Sequence, residues 1–137
     1  MALTAVLEFG DNRTERYNRR YLVQDCQLEF NRLYNEFGPS GSVKDKTVEV
    51  CVVAPGKEDL NLFEWFASQS VLDGRIVIST MTDNNFDQEG TQTLCFEGGQ
   101  CMALSEIYDI DTMRRRMLKL RITAETMTID GINFIRS

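Results

Sequence analysis

Alternation with a period of two limits what this chain can fold into more than any other feature. Val48, Val50 and Val52 are separated by Glu49 and Cys51, and Leu118, Leu120, Ile122 and Ala124 are interleaved with Lys119, Arg121 and Thr123. Leu3, Ala5, Leu7 and Phe9 repeat the pattern near the start. Successive side chains of a strand point to opposite faces, so such runs bury one face and wet the other. Segments 20–34, 74–82, 91–97 and 100–110 are further strand candidates, and Ile129-Asp130-Gly131-Ile132 carries the Asp-Gly pair of a two-residue hairpin turn. Seven or eight short antiparallel strands with these turn signals imply a mainly β fold, a compact barrel or sandwich. At 137 residues the chain is expected to be one domain, 1–137, large enough to build a core without staples.

One segment breaks the pattern. "APGKEDLNLFEWFASQSVLDGRIVIS" (54–79) gathers Phe63, Trp65 and Phe66 where strand alternation stops. The spacing predicts a single helix over about 59–71, packed at the side of the sheet. Asp59 would cap its start, and Asp73-Gly74 would end it. On a helical wheel Leu60, Leu62, Phe63, Phe66, Ala67 and Val71 share one broad face, and Trp65 falls outside it. Two uses fit Trp65: it folds onto the barrel rim and completes the core, or it anchors a neighbouring subunit.

The residue types missing from the chain narrow its chemistry. There is no histidine, which removes the Ser-His-Asp and Cys-His nucleophile pairs and the usual imidazole ligands of zinc. Four cysteines, at 26, 51, 95 and 101, show no paired metal-ligand spacing. A hairpin at Gly98-Gly99 would set Phe96 opposite Cys101 and leave Cys95 on the other face. A three-residue loop would instead face Cys95 to Cys101, so a disulfide there stays open. With no signal peptide in sight, all four are read as reduced.

Neither a G-x-x-x-x-G-K-[ST] nor a G-x-G-x-x-G phosphate cradle occurs. "DNNFDQEG" (83–90) starts like a calcium loop with Asp83, Asn85 and Asp87. It fails where glycine must turn the chain, which is Gln88, and where a bidentate glutamate belongs, which is Leu94. The segment reads as a solvated loop. No two carboxylates pair at a recognisable place, so no enzyme, cofactor or metal is expected. Net charge −6 argues against a nucleic-acid partner. No apolar run approaches the roughly 18 residues of a membrane span, and the start has no basic lead, apolar run or cleavage site. The expectation is a protein without membrane insertion that leaves the cell, if at all, by a route needing no cleaved leader.

With these residues in view, the chain resembles a known family. "FEW" (63–65) followed by "DGRIVI" (73–78) looks like the tube protein of type VI secretion systems, haemolysin-coregulated protein, in its divergent Bacteroidetes branch. "GPSGSVKDKTVEV" (38–50) and "YDIDTMRRRMLKLRITAETMTIDGINF" (108–134) follow in the same order, so the resemblance spans nearly the whole chain. Two places depart from the pattern. The link "APGKED" (54–59) is longer, and the segment between Tyr108 and Leu118 is shorter and carries Arg114-Arg115-Arg116.

The resemblance implies a two-sheet barrel with one lateral helix, assembled as a self-partnered hexameric ring. Rings would stack into a hollow tube that works with sheath, spike and baseplate proteins and carries effector proteins in its lumen. The subunit would be cytoplasmic during assembly and extracellular after firing. In the family the loop equivalent to Asn35–Lys46 reaches a neighbouring subunit, a role the resemblance carries onto Phe37, Pro39, Ser40 and Val43. Arg114, Arg115 and Arg116, with Lys119 and Arg121, are read as pairing with a neighbour's Glu106, Asp109 or Asp111, or else as a solvated strand face. The rival readings are a tail-tube protein of a phage or an extracellular contractile injection particle, and a small-ligand-binding barrel.

Overall fold

The computed structural model describes residues 2–35, 38–81 and 91–135, with side chains described at 4–30, 47–79 and 91–132. In chain order the elements are β1 (Ala2–Asp11), β2 (Arg16–Asn35), β3 (Gly38–Val53), α1 (Asn61–Ser68), β4 (Leu72–Met81), β5 (Gln92–Asp109), β6 (Arg114–Thr123), β7 (Thr126–Ile129) and β8 (Ile132–Ile135). Every pairing is antiparallel. The order β4-β1-β2-β3-β6-β5-β7-β8 closes on itself because β4 also pairs with β5. Six strands therefore form a ring, and β7 and β8 extend it. Followed around that ring from Gln92, the register passes Ile78, Ala5, Val23, Val52 and Leu118 and returns to β5 at Glu106. So large an offset means strands steeply tilted to the barrel axis.

Alternation fills the interior. Leu7, Val48, Val52, Ile76, Phe96, Leu118, Leu120, Ile122 and Met127 are fully buried, while Glu49 and Lys119 sit between them on the outer face. Phe9 is the hub of the aromatic cluster. Its ring meets Tyr21, Trp65 and Phe96 edge-on, at centroid distances of 6.0, 5.1 and 6.1 Å. Edge-to-face contacts of this kind add about 0.5–1.5 kcal/mol each beyond the area they bury.

The structure departs from the sequence reading in three places. First, Gly98-Gly99 is no hairpin. β5 runs straight through it, with Gly98 at φ +66°, and bends there. Glycine meets that backbone angle without strain. The bend is held from outside, because Asp73 Oδ1 accepts the Gly98 N–H at 2.9 Å. Across the bend one edge of β5 keeps its register from Leu94–Glu97 on β7 to Gln100 and Cys101 on β6, and the register with β6 shifts beyond Cys101. Cys95 and Cys101 thus lie six residues apart on one strand, about 20 Å at the rise of an extended chain, and both are free thiols.

Second, the helix is shorter than its sequence pattern. It spans Asn61–Ser68, and Gln69 ends it in the left-handed conformation. Leu60 and Val71 lie outside it; of the face drawn over 59–71, Leu62 is buried and Phe63 packs against the core, whereas Phe66 and Ala67 face out. The buried helical residues are Leu62 and Trp65, and Phe66 is exposed. Asp73 and Gly74 belong to β4. Asp59 is not the cap residue, yet its Oδ1 accepts the Asn61 N–H at 3.1 Å and the Tyr21 hydroxyl donates to both its oxygens.

Third, most of the predicted loop Asn35–Lys46 is strand. β2 and β3 continue past the ring as a two-stranded arm, with Asn31 opposite Asp45, Arg32 opposite Val43 and Tyr34 opposite Pro39. The Asp130-Gly131 turn matches expectation, joining β7 to β8 with both residues at positive φ.

Candidate assembly surfaces

A barrel of this kind has two ends, and the antiparallel order assigns each connection to one of them. One end carries the β1–β2 turn, the link from Val53 to α1, the helix itself and the β5–β6 turn. The opposite end carries the arm tip and the ends of β4 (Met81) and β5 (Gln92), where segment 82–90 leaves and returns. The solvated-loop reading of 83–90 lies outside the described residues.

Trp65 belongs to the interior of its own subunit. It is 2% exposed, and its indole N–H donates to the Gly99 carbonyl at 3.0 Å. Of the two uses weighed for it, completing the core is the one the structure displays, and a side chain buried this deeply presents no surface to a neighbour. Phe66, one residue on, faces out instead. It lines a groove of about 540 Å3 with Ala67, Gln69, Gln100, Cys101 and Met102. Burial pushes the Cys101 thiol up to about 11, which keeps it protonated at neutral pH.

That groove follows an unpaired strand edge. β6 takes one edge of Met102–Asp109; among the described residues no strand takes the other. Met102, Ile107 and Tyr108 are exposed along this stretch, and Ile110 and Met113 in the turn after it. Exposed edges with apolar flanks are templates for pairing with another chain. The arm offers further edges, since, among the described residues, 38–46 of β3 pair with β2 alone. The sequence reading missed the β5 edge. The only hint was Met102, a large apolar residue on the wet side of its strand.

Of the arm residues singled out from sequence, Pro39 stands opposite Tyr34 and Val43 opposite Arg32. Ser40 follows Pro39 on β3, and Phe37 lies outside the described residues. The three arginines separate. Arg114 and Arg116 are exposed, with no ion pair among the described residues. Arg115 turns in: it donates to the Pro55 carbonyl at 2.7 Å, meets Glu106 at 3.3 Å and stacks over Phe63 with 5.4 Å to the ring centroid. Glu106 also accepts the Tyr108 hydroxyl at 2.8 Å. Arg121 likewise pairs within the chain, 2.6 Å from Glu49, and that hydrogen bond holds the Glu49 carboxyl below its ordinary value. The neighbour pairing expected of Arg115 and Arg121 is therefore met at home: strand register sets Glu49 opposite Arg121, and Glu106 lies two residues from Tyr108, the register partner of Arg115.

Among the described residues no cluster of three or more metal-ligating side chains occurs, and no helix is long and apolar enough to cross a membrane.

The described residues thus build a closed barrel with one lateral helix, a two-stranded arm and open strand edges. The family model for haemolysin-coregulated protein Hcp (TssD) matches residues 1–137, and the chain belongs to that family of structural tube proteins. Among solved structures, Hcp1 from Flavobacterium johnsoniae is 16% identical and superposes with a TM-score of 0.71, over 97% of this chain and 99% of that one. Hcp3 from Pseudomonas aeruginosa is 15% identical, with a TM-score of 0.62 over 99% and 100%. The PVC sheath–tube complex of an extracellular contractile injection system contains a chain 14% identical, with a TM-score of 0.51 over 93% and 88%. No curated protein matches the chain by sequence.

Proposed function

We propose that this tube subunit closes into rings of six and that the rings stack head to tail around a lumen that carries effector proteins. The observation that carries the reading is the open β5 edge, Met102–Asp109, beside the apolar groove at Phe66. A head-to-tail patch of this kind closes a ring when each copy rotates by a fixed angle. The arm, with Phe37, Pro39, Ser40 and Val43, reaches a neighbouring copy, and Arg114 and Arg116 face partners rather than their own chain. Sheath, spike and baseplate proteins complete the machine. The subunit acts as a structural component and is exported through the apparatus.

A type VI tube is favoured over an extracellular injection tail-tube by the closer superposition on Hcp1, at 0.71 against 0.51. The ligand-binding barrel loses support because Leu7, Phe96, Leu118, Leu120 and Met127 fill the interior. Negative-stain images of the purified protein test the proposal. Annular particles with an open centre are expected, and compact particles without a centre would contradict it.

A further inference from the structure

The link before α1 and the β5–β6 turn meet in space, where Arg115 donates to the Pro55 carbonyl at 2.7 Å. Beside that contact lies a recess of about 490 Å3, lined by side chains of Pro55, Lys57, Tyr108, Met113, Arg114 and Arg115. Every charged side chain in this lining is a cation. Arg115 is balanced by Glu106 at 3.3 Å and stacked over Phe63, so its guanidinium is held in place. Lys57 and Arg114 are exposed and have no ion pair among the described residues. Register sets Arg114 opposite Asp109, yet Asp109 Oδ1 accepts the Asp111 N–H at 3.0 Å instead.

The apolar part of the lining is left open to solvent. Tyr108 is 56% exposed and Met113 83%. Met113 also holds a left-handed backbone at φ +56°, which strains any residue with a side chain. Asparagine or glycine would close the same turn with less strain. A large apolar residue kept exposed and strained at the mouth of a cationic recess points to a partner. We infer that the recess takes a short acidic segment of another protein, with carboxylates on Lys57 and Arg114 and an apolar side chain between them against Tyr108 and Met113. The neighbouring charges limit what fits. Glu58 follows Lys57, and Asp109 and Asp111 lie in the turn, so a continuous polyanion such as nucleic acid would meet like charges. Discrete carboxylates placed at the two cations avoid them. The recess lies within one chain, so the inference does not depend on ring closure.

Fluorescence anisotropy of labelled peptides with the purified protein tests this. The probe is the peptide DEFDE; NQFNQ keeps its apolar centre without the charge, and DESDE keeps the charge without the centre. DEFDE should bind saturably, and each control at least about tenfold more weakly. Lys57→Glu with Arg114→Glu should weaken DEFDE at least about tenfold, because like charges then meet. Both positions are exposed, and circular dichroism melts verify folding. Met113→Asn suits the left-handed backbone, so it should not lower the melting temperature, yet it should weaken DEFDE at least about threefold. A Met113 with only a structural role would give a lower melt and unchanged binding. Wild-type affinity in the K57E/R114E variant would overturn the inference, as would the absence of saturable binding by the wild type. Displacement of DEFDE by equimolar inorganic phosphate would overturn it too, since the recess would then be a small-anion site.

Discussion

Trp65 donates its indole N–H to the carbonyl oxygen of Gly99 across 3.0 Å, tying the helix to the bend of β5 from 34 residues away. The ring also packs edge-on against Phe9. Trp65→Phe should keep most of the packing but leave the Gly99 carbonyl without its partner, costing about 1–3 kcal/mol. Trp65→Ala should cost about 3–5 kcal/mol, since it adds a cavity to that loss. Urea unfolding of both variants checks the order.

Gly74 has no room for a side chain. A Cβ there would stand 2.4 Å from the Glu8 carbonyl oxygen and 2.9 Å from Phe96 Cζ. Gly74→Ala should destabilise by about 1–3 kcal/mol through overpacking. Adding Phe96→Leu should not restore stability, because the nearer clash is with backbone. Thermal melts of the single and double variants decide this.

The neighbouring arginines should behave differently. Arg115→Ala removes the Pro55 hydrogen bond, the Glu106 pair and the contact with Phe63, and should cost about 1–3 kcal/mol. Arg114→Ala and Arg116→Ala should stay within about 0.5 kcal/mol, as exposed sites usually do. Chemical denaturation distinguishes them, and equal effects at all three positions would contradict the inward placement of Arg115.

These same residues mark how far the sequence could be read. Val48, Val50, Val52 and Leu118, Leu120, Ile122 announced both strands and the face each one buries, because strand alternation is a local signal. The Gly98-Gly99 bend was not legible. A glycine pair suits a hairpin and a kinked strand equally, and the choice is made by Asp73 and Trp65, both distant in sequence. Leu60 and Val71 fit a helical wheel they do not belong to, since the wheel carries no information about where the helix stops. The arginine cluster was visible as a cluster. Which member turns inward depends on where Pro55 and Phe63 come to rest. The open β5 edge could not be seen at all, because an edge is defined by which strand fails to arrive.

Stability should fall as pH rises into the alkaline range. Burial, then the hydrogen bond to Asp59, pushes the Tyr21 hydroxyl up to about 12, and burial pushes the Cys26 and Cys101 thiols up to about 11. Each folded-state value lies above its ordinary one, so the contribution is intact below the ordinary value. It is lost as pH climbs from about 9 toward 12, where the unfolded chain releases protons that the folded chain keeps. Urea midpoints from pH 8 to 11 should decline, and Tyr21→Phe should flatten the upper part of that decline.

The central claim is that this family member is a ring-forming tube subunit, and its mass in solution tests it most directly. Light scattering on the purified protein should return about six times the 15.7 kDa chain mass, rising at higher concentration as rings stack. A particle of one chain mass at every concentration would contradict the account.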